Sequence, residues 1–228
     1  MHDYSLIETN ILYEDNHLLA VNKQCGILSQ PDISGEKDLF NLCKNYIKIK
    51  YNKPGNVYIG LLHRLDLQVS GITLFAKTSK AAKRVADQFQ SRSVAKFYNA
   101  MVEGSINPEE SHLIDHIGKD EKNRIAYASG DGMEAELLYR TLRKGNSENG
   151  KLSLLEIELL TGRFHQIRFQ LSSRGYPILG DKKYVSTKGP IKKCIFLHAS
   201  KLIFEHPVKK KAITILCPYP VEWNRLLS

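Results

Sequence analysis

No stretch of the sequence approaches the roughly 20 consecutive apolar residues of a membrane-spanning helix. Its start, Met1-His2-Asp3-Tyr4, lacks the basic opening and apolar run of a signal peptide. A location in the cytoplasm, with no membrane partner, is the expectation. Cysteine is scarce: Cys25, Cys43, Cys194 and Cys217 lie far apart without a Cys-x-x-Cys pair. That spacing excludes a local zinc motif and a dense disulfide framework, and reads as reduced thiols. Neither Gly-x-x-x-x-Gly-Lys-Ser/Thr nor Gly-x-Gly-x-x-Gly occurs, so no nucleotide cofactor is indicated. His112 and His116 have helical ligand spacing, but no Glu stands between them as in His-Glu-x-x-His and no third ligand is evident. A metal hydrolase is therefore disfavoured, and no cofactor or metal is expected.

What is present is the material of an ordinary globular protein. Of 228 residues, 42% are apolar and 25% charged, enough for a core in one fairly large domain or a domain with two lobes. Lys and Arg number 33 against 24 Asp and Glu, a net charge of +9 that favours a polyanionic partner without naming one.

Strand patterns dominate. Residues 11–13 and 18–23 read as strands around an acidic turn at Glu14-Asp15-Asn16. Leu39, Leu42, Cys43, Tyr46 and Ile47 predict a helix over 38–50, with Asp38 placed to cap it. Ser79 is the expected cap of a second helix whose apolar face is Ala82, Val85, Ala86 and Phe89. Further strands are expected at 72–76, 96–102, 134–142, 151–160, 195–204 and 211–217, and a helix over 164–174. Residues 145–150 read as a polar hairpin loop. Hairpins outnumber β-α-β alternation, so the fold class is α+β, with a mostly antiparallel central sheet flanked by helices and loops.

The segment with most chemical content is Leu62-His63-Arg64-Leu65-Asp66-Leu67-Gln68-Val69-Ser70-Gly71, followed by the apolar strand and Ala76-Lys77-Thr78. It sets a carboxylate and an arginine on an irregular loop, and Ser70-Gly71 mark a close backbone approach. Taken alone, a surface salt bridge anchoring the loop accounts for that pair.

The whole segment resembles the signature of RluA-type RNA pseudouridine synthases, His-Arg-Leu-Asp-x-x-Thr-Ser-Gly before an apolar strand and Ala-Lys-Thr. Lys96-Phe97-Tyr98-Asn99-Ala100-Met101-Val102-Glu103-Gly104 is similar to the family's Lys-x-Tyr-x-Ala-x-Val-x-Gly strand. Thr161-Gly162-Arg163-Phe164-His165-Gln166-Ile167-Arg168 and the block from Gly175 to Asp181 resemble its next two motifs in order. The likeness runs from Asn22-Lys23 to Pro218. Val69 stands where the family usually has Thr, and Gln170 where a His often follows.

The resemblance implies one catalytic domain over 1–228 in a short form without an S4-like extension, expected as a monomer, with an active-site cleft across the sheet. It implies isomerisation of specific uridines in ribosomal RNA, transfer RNA or both. That reaction breaks the N1–C1′ bond, turns the base and rejoins it through C5, with no redox change. It calls for a carboxylate acting as nucleophile or as base toward a glycal-like intermediate.

By resemblance Asp66 is that carboxylate, Arg168 the cation pairing with it, and Tyr98 the ring against the flipped base. Arg64 is assigned to the RNA, filling the space the base vacates. His63, Arg163 and His165 are the further candidates for RNA contact. His63 has the alternative of a backbone bond in its loop, Arg163 and His165 that of capping theirs. Lysine groups at 44–53, 77–84 (with Arg84), 182–183, 192–193 and 209–211 supply a phosphate-tracking surface. The alternative of another class is a non-catalytic RNA-binding module, against which the intact Asp66, Tyr98 and Arg168 set argues.

Overall fold

The computed structural model describes residues 2–147, 150–184, 186 and 194–227. Lys192 and Lys193, and Glu148 and Asn149 of the expected hairpin loop, fall outside them. The chain divides into two compact units: residues 1–94 with 199–218, and residues 95–198 with 219–228.

In the first unit a short helix α1 (His2–Glu8) precedes β1 (Ile11–Glu14) and β2 (Leu18–Lys23), which pair antiparallel. Helix α2 (Leu39–Lys50) begins at Asp38, whose carboxylate accepts the Asn41 N–H at 2.8 Å. It buries the five residues its spacing marks, Leu39, Leu42, Cys43, Tyr46 and Ile47. They pack on Leu19, Val21 and Phe75 from the sheet, each such side chain contributing roughly 1.5–3 kcal/mol by leaving water. Strand β3 (Gly60–Leu61) and β4 (Ser70–Ala76) bracket the Asp66 loop. Helix α3 (Ser79–Gln90) follows, capped by Thr78, whose hydroxyl accepts the Ala81 N–H, rather than by Ser79. Of the expected apolar face Val85 is buried, Ala82 and Phe89 are partly buried and Ala86 is exposed, and Ala81 is buried beside them.

The second unit is built on β5 (Ala95–Glu103), β6 (Glu110–Asp120), β7 (Ile125–Ala128), β8 (Met133–Ser147) and β9 (Gly150–Leu159), in spatial order β5-β9-β8-β6-β7. Each neighbouring pair is antiparallel. Along β9, Leu155, Ile157 and Leu159 are buried and Glu156 and Glu158 partly wet, as the alternation requires. Helix α4 (Gln166–Ser172) is shorter than the spacing predicts, because His165 takes a left-handed conformation, φ 49° and ψ 24°, that a helix cannot include. A turn of 3-10 helix at Lys182–Tyr184 and another at Val221–Leu227 complete the unit, the second seating Trp223 and Leu227 against Met101, Leu152, Leu154 and Leu179.

The chain returns to the first unit through β10 (Leu197–Glu205) and β11 (Ala212–Leu216), an antiparallel hairpin. That unit's strand order is β1-β2-β4-β10, with β3 also on β4 and β11 on β10. The expected mixed α+β class with mostly antiparallel pairing holds. Cys43 and Cys217 are buried and outside any disulfide, but Cys25 and Cys194 are disulfide-bonded. The expectation of four reduced thiols is corrected for those two, since sequence spacing reports only local pairs.

Candidate active site

Asp66 sits on the loop between β3 and β4, half-buried, and its backbone is pinned on both sides. The buried Ser29 hydroxyl donates to the Leu65 carbonyl at 2.7 Å and accepts the Leu65 N–H at 3.1 Å. On the other flank the Leu67 carbonyl accepts the Gly26 N–H at 2.8 Å. A turn closed by Val69 N–H on the Asp66 carbonyl, 3.0 Å, leads into β4. His63 accepts the Leu74 N–H through Nε2 at 3.2 Å and lies 5.2 Å from the Phe89 ring. Gly71 is required by contact: its φ is +112°, and a Cβ there would enter the backbone of Ala199 on β10.

Beneath this loop lies Lys23, fully buried at the end of β2. Its ammonium donates to the carbonyls of Ile27 (2.8 Å), Gln24 (3.3 Å) and Leu67 (3.4 Å). Burial pushes its pKa down to about 8, and the charge of Asp66 opposes that shift. The aspartate thus faces a cation that the protein has paid to desolvate.

The second unit carries Tyr98 and Arg168. Tyr98 lies on β5 opposite Ile157 of β9 and is half-buried. Arg168 on α4 is 3% exposed and forks onto Asp181, itself 1% exposed, through Nε to Oδ2 at 2.6 Å and Nη2 to Oδ1 at 2.8 Å. Its Nη1 lies 2.9 Å from His165 Nε2, and its guanidinium carbon 5.2 Å from the Tyr184 ring centre. Gln166 ties the motif together: its carbonyl oxygen accepts from Thr161 Oγ1 and the Arg163 N–H, and its amide donates to Glu136 and Gln170. The departure at Gln170 is filled by a buried amide that donates to Asp115 at 2.7 Å and to the Ala135 carbonyl at 3.1 Å, fastening α4 to β6 and β8.

Of the sequence candidates, Asp66, Arg64 and His63 therefore share one loop of the first unit, where Arg64 is exposed. Arg163, His165 and Arg168 share the start of α4 in the second. Arg163 donates through Nε to the Glu134 carbonyl at 2.8 Å. The His165 side chain makes no capping bond to α4. His112 and His116 lie on strand β6 rather than a helix, with His112 on Glu136 at 3.3 Å. Among the described residues no group of three or more His, Cys, Asp or Glu is disposed to hold a metal, and no helix is long and apolar enough to cross a membrane. Sequence reasoning missed Lys23 and Asp181 as site residues. Asp181 had a signal, its place in the last motif block, whereas Lys23 had none beyond marking where the resemblance begins.

A description of the RNA pseudouridylate synthase family matches residues 17–173. The chain is 32% identical over 225 residues to the dual-specificity RNA pseudouridine synthase RluA of Vibrio parahaemolyticus, covering 96% of this chain and 87% of that one. It is 35% identical over 205 residues to the ribosomal large subunit pseudouridine synthase D of Borreliella burgdorferi, covering 87% and 61%. The structure of human RNA pseudouridylate synthase domain containing 4 shares the fold, with a TM-score of 0.80 at 22% identity over 98% of this chain and 94% of that one. The architecture is that of a pseudouridine synthase. Within that class the chain belongs to the RluA-type family, isomerases that convert uridine in RNA to pseudouridine.

Proposed function

We propose that this enzyme isomerises specific uridines of ribosomal RNA, transfer RNA or both, with Asp66 as the catalytic carboxylate. The name of one relative, a ribosomal large subunit synthase, supports ribosomal RNA among the substrates, and that of another, a dual-specificity synthase, supports more than one kind of target. In this reading Arg168 pairs with Asp66 and fixes its direction, and Tyr98 lies against the flipped base. Arg64, exposed two residues before Asp66, fills the gap the base leaves. The expected cleft belongs to the same proposal. So does a monomer whose two units work as one catalytic domain in the cytoplasm, without metal or cofactor. His63 and Arg163, whose nitrogens already hold backbone, serve RNA by shaping their loops.

The observation that carries this reading is the pinning of Asp66. Ser29 fixes Leu65, and Gly26 and Lys23 fix Leu67, while the carboxylate between them stays half-exposed. A surface salt bridge needs no such frame. A nucleophile or base that must meet one atom does.

The test replaces the carboxylate by its neutral isostere. Asp66→Asn keeps size and shape but supplies neither nucleophile nor base, so pseudouridine formation should fall below detection by mass spectrometry. RNA affinity should stay within a small factor, because phosphate contacts lie elsewhere. Substantial residual turnover would sink the assignment. Loss of binding with the turnover would make Asp66 structural instead.

A further inference from the structure

The ring of His165 is held at both nitrogens. Nδ1 lies 2.9 Å from the Tyr184 hydroxyl, and Nε2 lies 2.9 Å from Arg168 Nη1. Phe164 stacks on one face at 3.9 Å, and Tyr184 meets the ring edge-on at 5.6 Å. To reach this place the backbone of His165 adopts φ 49°, a left-handed conformation that histidine, like asparagine and aspartate, takes more often than most side chains. That conformation gives α4 no side-chain cap. It serves the ring.

Proton counting fixes the state of that ring. A guanidinium has only donors, so Nε2 must present its lone pair to Arg168. The proton of the neutral imidazole then sits on Nδ1 and is donated to the Tyr184 oxygen, which also accepts the Ala126 N–H of β7 at 2.6 Å. Protonating Nε2 would set an N–H against an N–H and a second cation beside Arg168. Among the described residues, the charged and titratable groups on the ring and on its neighbours include Arg168 on α4 and Tyr184 from the following turn, Asp181 behind Arg168, and Lys119 of β6, which lies 4.9 Å over the Phe164 ring. Asp181 already gives both oxygens to Arg168, and Lys119 adds positive charge.

We propose that His165 is a positioning residue of the isomerisation: its neutral Nδ1–H form orients Arg168, and its protonation closes the working range of the enzyme on the acid side. The proposal rests on the reading of Arg168 as Asp66's partner. It replaces RNA contact as the role of His165.

Two variants separate the ring's two contacts. Gln places an amide oxygen near the position of Nε2 and cannot titrate, whereas Asn reaches only the position of Nδ1 and tolerates the left-handed backbone. Steady-state pseudouridine formation on a substrate stem-loop would be followed from pH 5 to 9, with melting curves to confirm folding. His165→Asn should lose about 100-fold in kcat with KM little changed, as expected for a misplaced catalytic group. His165→Gln should recover most of that loss and lack the acid limb of the wild type. Long-range ¹⁵N correlation on the free wild-type protein should show the Nδ1–H tautomer at neutral pH. A raised KM with unchanged kcat in both variants, or an Nε2–H tautomer, overturns the proposal. Arg168→Lys, run in parallel, tells the two readings apart. Full activity there removes Arg168 from catalysis and the proposal with it, while a slow Arg168→Lys beside an unaffected His165→Asn overturns the role of His165 alone.

Discussion

Lys23 is the side chain set furthest from what its chemistry prefers. An ammonium loses several kcal/mol of hydration on burial, and three carbonyls and the charge of Asp66 offset part of it. Replacing it by Met removes the buried charge and leaves the Ile27 and Leu67 carbonyls without that donor. We expect Lys23→Met to keep its fold yet turn over about 10-fold more slowly or worse, because the Asp66 loop loses one anchor and its nearby cation. Stability should also separate the two proteins by pH. The folded pKa is lowered from 10.5 to about 8, so between those values the unfolded chain binds more protons than the folded one. Wild-type stability relative to Lys23→Met should therefore rise as pH increases from about 8 to 10.5, and be flat below. Urea melts at pH 7, 8, 9 and 10 measure this, and a difference independent of pH would mean that Lys23 does not titrate in that window. Asp66 is legible in the sequence because its neighbours form a long, specific word. Lys23 is not, since burial of a single lysine leaves no period and no local partner.

Elements were readable where local signals agree. Helix α2 has its apolar period and its cap in one stretch, and both are found. Helix α3 offers Thr78 and Ser79 side by side, two hydroxyls that local sequence ranks alike, and the helix starts after the first. Strands β6 and β7 escape a pattern search because the polar Ser111 and Asp115 stand among the inward positions of β6 while the apolar Ile114 faces solvent. The close approach announced by Ser70-Gly71 is real, and it decides a prediction. Gly71→Ala meets both a left-handed φ and the backbone of Ala199, neither of which a rotamer can relieve. It should destabilise the protein by on the order of 3 kcal/mol or more, read by chemical denaturation. A loss under about 1 kcal/mol would show that β4 shifts away from β10 at little cost.

Across the whole molecule the excess of positive charge is divided between structure and surface. Glu14 draws Lys50 at 2.7 Å and Lys77 at 2.8 Å, and Tyr46 and Tyr51 also donate to it. Burial alone would raise the Glu14 pKa, but these donors outweigh it and hold it at about 2. Lys209 pairs with Asp15 and Lys210 with Glu205. Those lysines, which composition alone assigns to RNA, are in part occupied holding the first unit together. Lys80 and Lys83 on α3 differ: both are exposed and make no ion pair among the described residues. The division yields opposite outcomes for substitutions that look alike in the sequence. RNA affinity should fall with salt, with log K losing about 0.7–0.9 per neutralised phosphate for each tenfold rise. If Lys80 and Lys83 track the backbone, the double variant Lys80→Gln/Lys83→Gln should flatten that slope by roughly 1.5 and leave the melting temperature and kcat unchanged. Lys77→Gln should instead leave the slope within error and lower stability by about 1–3 kcal/mol, since it takes a charged donor from a largely buried carboxylate. Binding titrations from 50 to 300 mM salt beside urea melts read both effects. An unchanged slope in the double variant would remove α3 from the RNA surface, and a flattened slope in Lys77→Gln would mean that its bond to Glu14 opens when RNA arrives.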